Sequence, residues 1–376
     1  MTRKSENPPP AESTDRVAAS LKAVRTQIDK LDLQLVELIN KRASLATQIG
    51  KLKSADQGGE VFSASREEEV ITNVLAHHKG PMPMVSVRAI FREVMSGCRS
   101  LQRMPKVAFL GPEYSYSHLA TMERFGEAVE YMEVANIAAV FEEVNRRHVD
   151  FGVVPLENST DGRIADTLDM FIRMPQLKIC AEIRMRIHHN LLAKCEQIEI
   201  RRIYSKPQAL SQCRNWLAKN VPHAQLLEVT STTAAARLVQ SEPNCAAVAS
   251  RQAAVKYGLP ILFNDIEDST NNETRFAVIS NTSSAKTGKD KTAVMFQIPH
   301  NPGSLADILA LFKTHKINLT WIESFPIRAA KGEYVFFVEF EGHADDPKCK
   351  KAITALSDNS LKLSVLGSFP AAEALD

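Results

Sequence analysis

The 376-residue chain lacks features of several protein classes. It has no run of 18 or more apolar residues, which excludes a membrane-spanning helix. Its first 14 residues, MTRKSENPPPAEST, have no apolar core of a secretory signal. The six cysteines form no CxxC pair, which favours reduced thiols in a cytoplasmic protein over a disulfide framework or a metal site. No GxGxxG follows a predicted strand, which argues against a nicotinamide-dependent dehydrogenase.

Charge and composition are ordinary for a soluble globular protein. The net charge of +2 gives no reason to expect nucleic acid or a membrane surface as a partner. Hydrophobic residues make up 44% and charged residues 24% of the chain. The length allows two or three domains.

The most informative stretch runs from residue 21 to 52 and predicts one long helix. Its apolar residues recur at steps of three and four, the spacing of a helix that lays a narrow stripe against a partner helix. The stripe comprises Leu21, Val24, Ile28, Leu31, Leu35, Leu38, Leu45, Ile49 and Leu52. The position expected after Leu38 holds Arg42, whose charge is costly to bury without an anion.

Two more cations share this helix. Arg42 and Lys53 lie on one face, roughly 16 Å apart along the axis, where they can grip opposite ends of a small dianion. Arg25 is about 25 Å from Arg42, too far for the same ligand. It is therefore either a surface residue or part of a second copy of the site across a dimer. The alternative for Arg42 is a structural pair with a core carboxylate.

Two shorter helices complete an all-helical unit over residues 14–103, after a disordered lead-in at 1–13. Ser65 and Glu68 have the spacing of a capping box at the start of the second helix. The third helix is predicted from Val85 to Gln102. Three helices of this size enclose little core, which favours dimerisation.

The cation pattern of this unit resembles the all-helical chorismate mutase family, in which two intertwined chains build each site. The resemblance implies that Arg25, Arg42, Lys53, Arg66, Glu67 and Gln102 form the site, with Arg25 supplied by the partner chain. Glu67 would face the ring hydroxyl and Gln102 the ether oxygen. Ser63 and Cys98 depart from the family pattern. The rearrangement of chorismate to prephenate needs no cofactor, only a fixed conformer and positive charge near the ether oxygen.

From 106 to 281 the sequence alternates strand-like and helix-like runs, which predicts an α/β unit with mainly parallel sheets. A strand that returns near residue 275 indicates two lobes, at about 106–180 with 265–281 and at 181–264. Polar clusters follow the predicted strands, at Glu157–Gly162, Ser205–Pro207 and Ser231–Thr233. Such clusters cap helices and can also bind carboxylates. His188 and His189 are interpreted as structural.

This unit resembles prephenate dehydratase, a family with two periplasmic-binding-protein-like lobes and the site between them. The similarity rests on the segments 107–113, Ser117-His118, Pro155–Ser159 and Thr274-Arg275-Phe276. It implies that Thr274 is the essential catalytic residue, that Arg275 is an anion anchor, and that Asn158, Ser159 and Thr160 line the facing wall. The reaction would convert prephenate to phenylpyruvate.

A polar linker at 280–291 precedes a β-α-β-β-α-β pattern over 292–370, the order of a ferredoxin-like domain. This segment resembles the ACT regulatory domain that follows such dehydratases. The resemblance implies an L-phenylalanine site at Gly303, Ser304, Leu305, Glu323 and Ser324. Phe325 stands where many relatives carry arginine.

Taken together, the sequence predicts a cytoplasmic bifunctional enzyme of phenylalanine biosynthesis. It would act on chorismate and prephenate, assemble as a homodimer or a dimer of dimers, respond to L-phenylalanine, and use no cofactor or metal. Two alternatives stay open. One is a dehydratase whose helical arm is an inactive dimerisation module; the other is a two-lobed regulatory protein that binds an amino acid or another solute.

Overall fold

A computed structural model describes residues 11–55, 62–159, 162–326 and 334–375. The helical unit consists of α1 (Ala11–Ala55), α2 (Ala64–His77) and α3 (Met84–Ser100). Helix α1 begins at Ala11, slightly before the predicted start, and most of the predicted lead-in lies outside the described residues. Helix α2 is capped by Ser63, whose hydroxyl accepts a hydrogen bond from the Arg66 amide at 3.4 Å. The predicted cap at Ser65 is therefore wrong, because the helix starts before that residue.

The apolar stripe of α1 faces solvent within one chain. Its members from Leu21 to Leu52 are each about half exposed or more, for example Leu35 at 55%. Helix α3 packs beside the C-terminal part of α1. Exposing so long an apolar stripe is unfavourable, so α1 presents a surface suited to a partner helix.

The first lobe of the central unit contains β1 (Lys106–Leu110), α4 (Tyr116–Phe125), β2 (Glu130–Val134), α5 (Ile137–Asn145), β3 (Phe151–Asn158), β4 (Gly162–Arg163), α6 (Ala165–Arg173) and β5 (Lys178–Arg186). The second contains β6 (Asn190–Ala193), β7 (Arg202–Ser205), α7 (Pro207–Gln212), α8 (Arg214–Asn220), β8 (Gln225–Glu228), α9 (Thr232–Ser241), β9 (Cys245–Ala249), α10 (Arg251–Tyr257) and β10 (Ile261–Phe263). Strand β11 (Glu273–Ser280) then returns to the first lobe. Two lobes with a double crossover are confirmed.

The sheets of the two lobes are mixed rather than mainly parallel as predicted. In the first sheet β11 lies between β3 and β5 and is antiparallel to both. The second sheet has the order β10-β6-β9-β7-β8, with two antiparallel pairs at the β10 end. The reason for the first mismatch is topological. Strand β11 enters from the second lobe and therefore runs against its neighbours.

The C-terminal unit has the predicted ferredoxin-like order. It consists of β12 (Asp290–Gln297), α11 (Ser304–Thr314), β13 (Leu319–Pro326), β14 (Tyr334–Glu341), α12 (Pro347–Asp358) and β15 (Lys362–Pro370). Its strands form an antiparallel sheet in the order β13-β14-β12-β15. A short final strand, β16 (Ala374–Leu375), joins the first-lobe sheet beside β5.

The three units share apolar interiors. One core cluster combines first-lobe residues such as Phe171 with Phe337 and Phe369 of the C-terminal sheet. A second cluster contains Phe62, which lies just before α2. Its ring packs against Phe125 and Phe151 of the first lobe, at centroid distances of 4.8 and 5.0 Å. Phe62 is only 2% exposed. Burying a phenylalanine side chain contributes about 2 kcal/mol, so this residue anchors the helical unit to the lobe.

Candidate active sites

A cleft of about 430 Å³ lies between the two lobes of the central unit. Thr274 of β11 and Asn158 of β3 line it from the first lobe, and Gln212 of α7 lines it from the second. Helices α4, α5 and α9 begin at the same cleft, capped by Ser115, Asn136 and Ser231. Their free N–H groups and dipoles favour a bound anion.

A chain of hydrogen bonds crosses the base of the cleft and ends at Thr274. Gln212 Nε2 donates to Asn158 Oδ1 at 3.4 Å, and Asn158 Nδ2 donates to Thr274 Oγ1 at 2.8 Å. Because Thr274 Oγ1 is the acceptor in this bond, its own hydrogen remains available to a ligand in the cleft. The structure thus brings Thr274 and Asn158 together as predicted site residues.

His189 lies at the other end of this series of hydrogen bonds. Its Nε2 lies 2.9 Å from Gln212 Oε1 and its Nδ1 lies 3.1 Å from the Tyr116 hydroxyl. Burial lowers the pKa of His189 below its ordinary value, so the ring is neutral at pH 7. The sequence analysis treated His189 as purely structural, yet it lines the cleft. A hydrogen-bonded partner 23 residues later in the chain, Gln212, gave no local sequence signal.

Lys206 is a cleft cation that the sequence analysis did not single out. It precedes α7 and is exposed, and its ammonium group makes no hydrogen bond or ion pair with any described residue. Asp166 is a cleft carboxylate on α6. A positive charge without a protein partner at the mouth of a cleft suits an anionic ligand.

The remaining predicted cleft residues have other positions. The Ser159 hydroxyl donates to the Asn271 carbonyl and accepts from the Glu273 amide, both at 2.9 Å, so it fastens the loop instead of lining the wall. Thr160 lies outside the described residues. Arg275 points to the face of the sheet opposite Thr274, because neighbouring strand residues alternate between faces.

The prediction of Arg275 as an anion anchor is not supported by this position. Its guanidinium pairs with Glu157 at 2.8 Å, with Glu182 at 2.7 Å and with Glu339 at 2.7 Å. Three carboxylates raise the pKa of Arg275 even though burial opposes this. Its Nε, Nη1 and Nη2 groups are thus engaged by carboxylates on the face of the sheet opposite Thr274.

In the helical unit, the structure brings Gln102 beside the C-terminal part of α1. A Cβ on Gly50 would lie 2.9 Å from Gln102 Cγ, so glycine allows α3 to end against α1, one turn before Lys53. Gln102 Oε1 is buried and has no hydrogen-bond partner among the described residues. Arg42 is half-buried, and its Nη1 donates weakly to the Val94 carbonyl at 3.5 Å.

Among the described residues, Arg42 therefore has no core carboxylate partner of the kind that the structural alternative required. Its one hydrogen bond to a described residue is long and goes to a neutral carbonyl, which leaves most of its donors for a ligand. Lys53 is half-buried as well. Arg25 is exposed, as expected of a residue that serves a second copy or the surface. Arg66 is also exposed and pairs with Glu69 at 2.6 Å.

Glu67 differs from its predicted role at the ring hydroxyl. Its carboxylate forms an ion pair with Arg99 of α3 and another, at 3.6 Å, with Arg124 of α4 in the first lobe. Arg99 also donates to the Phe125 carbonyl. Within one chain, Glu67 thus belongs to an interdomain ion cluster. Sequence spacing could not reveal Arg124, since it lies in a different unit.

The predicted regulatory residues lie at two places in the C-terminal sheet unit. Gly303 has φ of 91° and caps α11, with Ser304 and Leu305 in the first turn. Glu323 and Ser324 lie on β13, and both are contacted by Arg163 of β4, whose Nη1 lies 2.8 Å from Glu323 Oε2 and 3.0 Å from the Ser324 carbonyl. Phe325 is buried between the units.

Comparison with known proteins gives the same three parts. The sequence matches the family models Chorismate mutase type II over residues 24–103, Prephenate dehydratase over 107–284 and ACT domain over 292–358. None of the described helices is long and apolar enough to cross a membrane.

Full-length relatives carry the parts together. A bifunctional chorismate mutase/prephenate dehydratase of Pseudomonas aeruginosa is 41% identical over 358 residues, which cover 94% of this chain and 98% of the relative. One of Aquifex aeolicus is 40% identical with the same coverage.

Among solved structures, a prephenate dehydratase of Arthrobacter aurescens in complex with L-Phe superposes with a TM-score of 0.67 at 32% identity, covering 71% of this chain and 90% of that one. The prephenate dehydratase of Staphylococcus aureus gives 0.63 at 29% identity, covering 70% and 99%. With three family matches in order and full-length similarity at this level, the chain belongs to the bifunctional chorismate mutase/prephenate dehydratase family.

Proposed function

We propose that this enzyme rearranges chorismate to prephenate on its helical unit and converts prephenate to phenylpyruvate in the cleft between its lobes. The observation that carries the second activity is the Asn158–Thr274 hydrogen bond, which leaves the threonine hydrogen available to a ligand in a cleft lined by helix N-termini. Both substrates are dianions, and each site offers a cation that pairs with no carboxylate of the described residues, Arg42 in the helical unit and Lys206 in the cleft.

In the dehydratase step, prephenate loses its ring carboxylate as CO₂ and its ring hydroxyl as water. The electron pair of the broken C–C bond enters the ring and completes the aromatic system as the C–O bond breaks, and the departing hydroxyl takes up one proton. Thr274 would donate a hydrogen bond to this hydroxyl, while Asn158 holds the threonine oxygen. A positioned donor lowers the barrier because charge develops on the leaving oxygen.

The rest of the cleft would bind and orient the substrate. Lys206 and the first turns of α4, α5 and α9 supply positive potential for the two carboxylates. Neutral His189 holds Gln212, and Gln212 holds Asn158, so the ring is a positioning residue for Thr274.

In the mutase step, no bond to the protein forms and no proton moves. Arg42 and Lys53 would hold the compact conformer of chorismate and stabilise negative charge on the ether oxygen, with Gln102 turning its amide nitrogen to the same oxygen. The unpaired Gln102 side chain and the weakly engaged Arg42 support this assignment. Arg25 would come from a second copy, because one helix cannot bring it within reach.

Assembly follows from the same argument. The exposed apolar stripe of α1 fits a second α1, so the proposal includes a homodimer, or a dimer of dimers, in the cytoplasm. L-Phenylalanine would bind the ACT domain near Gly303 and Glu323 and shift the population of two dimer arrangements.

The test is a paired assay of the purified full chain. Chorismate consumption and phenylpyruvate formation are followed separately, with chorismate or prephenate as the starting substrate and with or without L-phenylalanine. We expect both reactions to proceed. Phenylpyruvate from prephenate without any consumption of chorismate would reduce the helical unit to a dimerisation arm, and no turnover of either substrate would refute the proposal.

A further inference from the structure

The two strands that carry Thr274 and Asn158 present a second pair of residues on their opposite face. In the β3–β11 ladder Thr274 lies opposite Asn158, and Arg275 lies opposite Glu157. Strand geometry sends neighbouring side chains to opposite faces. The cleft pair and the ion pair therefore share backbone, so that a shift in one changes the position of the other.

The ion pair continues into the ACT domain. Both oxygens of Glu339, on β14, accept from Arg275 Nη2, at 2.9 and 2.7 Å. The Glu339 side chain is 1% exposed. Arg275 Nε donates to Glu182, which also receives Lys291 of β12 at 3.1 Å. The carboxylate of Glu339 belongs to strand β14, which lies between β13 and β12 in the ACT sheet.

Burial makes this arrangement rigid. A planar guanidinium that is committed in three directions cannot rotate without leaving a buried carboxylate unpaired. Arg275 and Lys291 lower the pKa of Glu182 in spite of burial, whereas burial raises the pKa of Glu339. Among the described residues, Glu339 accepts side-chain hydrogen bonds from Arg275 alone, whereas Glu182 also accepts from Lys291.

A separate contact links the same hairpin to the same sheet. Arg163 follows the β3–β4 turn and pairs with Glu323 of β13 at 2.8 Å, while its guanidinium lies 5.9 Å from the ring centre of Phe325. This contact is exposed and is weaker than the buried one. Both contacts act on the β3 hairpin that holds Asn158.

We propose that Glu339 of the ACT domain, acting through Arg275, is a positioning residue for the dehydratase reaction. The inference rests on the proposed role of Thr274. The ACT sheet then forms part of the scaffold of the dehydratase site. A shift of Glu339 would move Arg275 and, through the backbone of β11, the neighbouring Thr274.

The test compares Glu339→Gln with Glu341→Gln in the full-length enzyme. Glu341 lies on the same strand and the same face but is exposed, and it accepts only from Asn318 among the described side chains. We expect Glu339→Gln to lower dehydratase kcat about tenfold with KM changed less than twofold, because the substrate anions bind in the cleft. Glu341→Gln should leave both parameters unchanged.

Mutase turnover of the same preparation serves as the internal measure of folded enzyme. A general loss of folding lowers both activities together, so the informative quantity is the ratio of dehydratase kcat to mutase kcat. Glu339→Asp keeps the charge with a shorter reach and should restore part of this ratio. If Glu339→Gln does not fold, Glu339→Asp is judged by the same ratio, with a decrease of about threefold expected.

A ratio within twofold of wild type in a folded Glu339→Gln, or in Glu339→Asp when it is the variant judged, would overturn the proposal. So would an equal decrease in the ratio for Glu341→Gln. Failure of the proposed function is distinguishable, since wild-type enzyme would then form no phenylpyruvate from prephenate.

Discussion

The helical unit and the two-lobed unit differ in how much of their site one chain supplies. The cleft already contains its donor, the groups that hold the donor, and walls from both lobes. The helical unit contains cations and a buried Gln102 oxygen without a hydrogen-bond partner among the described residues, but the apolar stripe of α1 and Arg25 are exposed to solvent. Under the proposed function, the difference means that one chain supplies the whole dehydratase site, whereas the mutase site draws on a second copy.

The largest expected effect is the loss of dehydratase activity alone. Thr274→Ala removes the hydroxyl hydrogen that the leaving group needs, so we expect dehydratase kcat to fall by about 10⁴, near the upper limit for a positioned donor. Mutase activity should persist, because Thr274 lies in a different unit. Steady-state kinetics with each substrate measure both. Thr274→Ser, which keeps the hydroxyl, is the matched control, and equal dehydratase rates for the Ala variant and wild type would remove Thr274 from the mechanism.

On the mutase side, Arg42→Ala should lower turnover of chorismate by about 10³, because it removes preorganised charge from the transition state. Dehydratase activity of the same protein should remain. A chorismate-depletion assay checks the first and phenylpyruvate formation from prephenate the second. Near-normal mutase turnover in this variant would return Arg42 to a structural role.

The next prediction addresses the need for a second copy. Leu35→Glu places a charge on the apolar stripe of α1 and should reduce mutase activity at least tenfold, with a lower mass in light scattering. Leu33→Glu is the control, since Leu33 lies on the same helix away from the stripe and is 73% exposed. The dehydratase rate should change little in both. Full mutase activity of monomeric Leu35→Glu would show that the helical site is complete in one chain.

The smallest expected effect concerns pH. Burial lowers the pKa of His189 below its ordinary value of 6.5, so the unfolded chain binds this proton more readily than the folded one. The free energy of unfolding should therefore decrease as the pH falls from 6.5 through the folded pKa. In His189→Gln this decrease should be smaller, because the variant has no buried imidazole to protonate. Urea titrations at pH 7 and pH 5 give the free energy of unfolding of each protein. The same decrease between these pH values in wild type and His189→Gln would contradict the burial argument.

The sequence predicted the units, their order and the apolar repeat of α1, but it placed the cap of α2 at Ser65 instead of Ser63. Periodicity was sufficient for α1, whereas the placing of Thr274 and Asn158 in one site came from the resemblance to prephenate dehydratase. Contacts between units were not predictable in this way. Arg275 meets Glu339 across 64 residues, and Glu67 meets Arg124 across a domain boundary. Neither spacing nor hydrophobic pattern reports which of several charged residues will be neighbours after folding.

His189 and Lys206 show the same limit at the cleft. Each is a single polar residue beside a strand or helix end, and such residues are usually solvated or capping. Their importance appears only when the second lobe folds over the first and converts separate loop residues into one wall. The motif Thr274-Arg275 had the opposite problem, since adjacency in sequence suggested a shared role while strand alternation separates the two side chains.

The place of Phe62 has a practical consequence for dissecting this enzyme. The covalent joint between the helical and two-lobed parts lies near Pro105, but this aromatic ring is seated among Phe125 and Phe151 on the far side of that joint. A fragment that began at the joint would have an apolar cavity in the first lobe, and Phe62 would be exposed to solvent on the separated helices. The domain boundary along the sequence therefore differs from the boundary between the packed units. A fragment meant to fold as a separate dehydratase should begin upstream of residue 62.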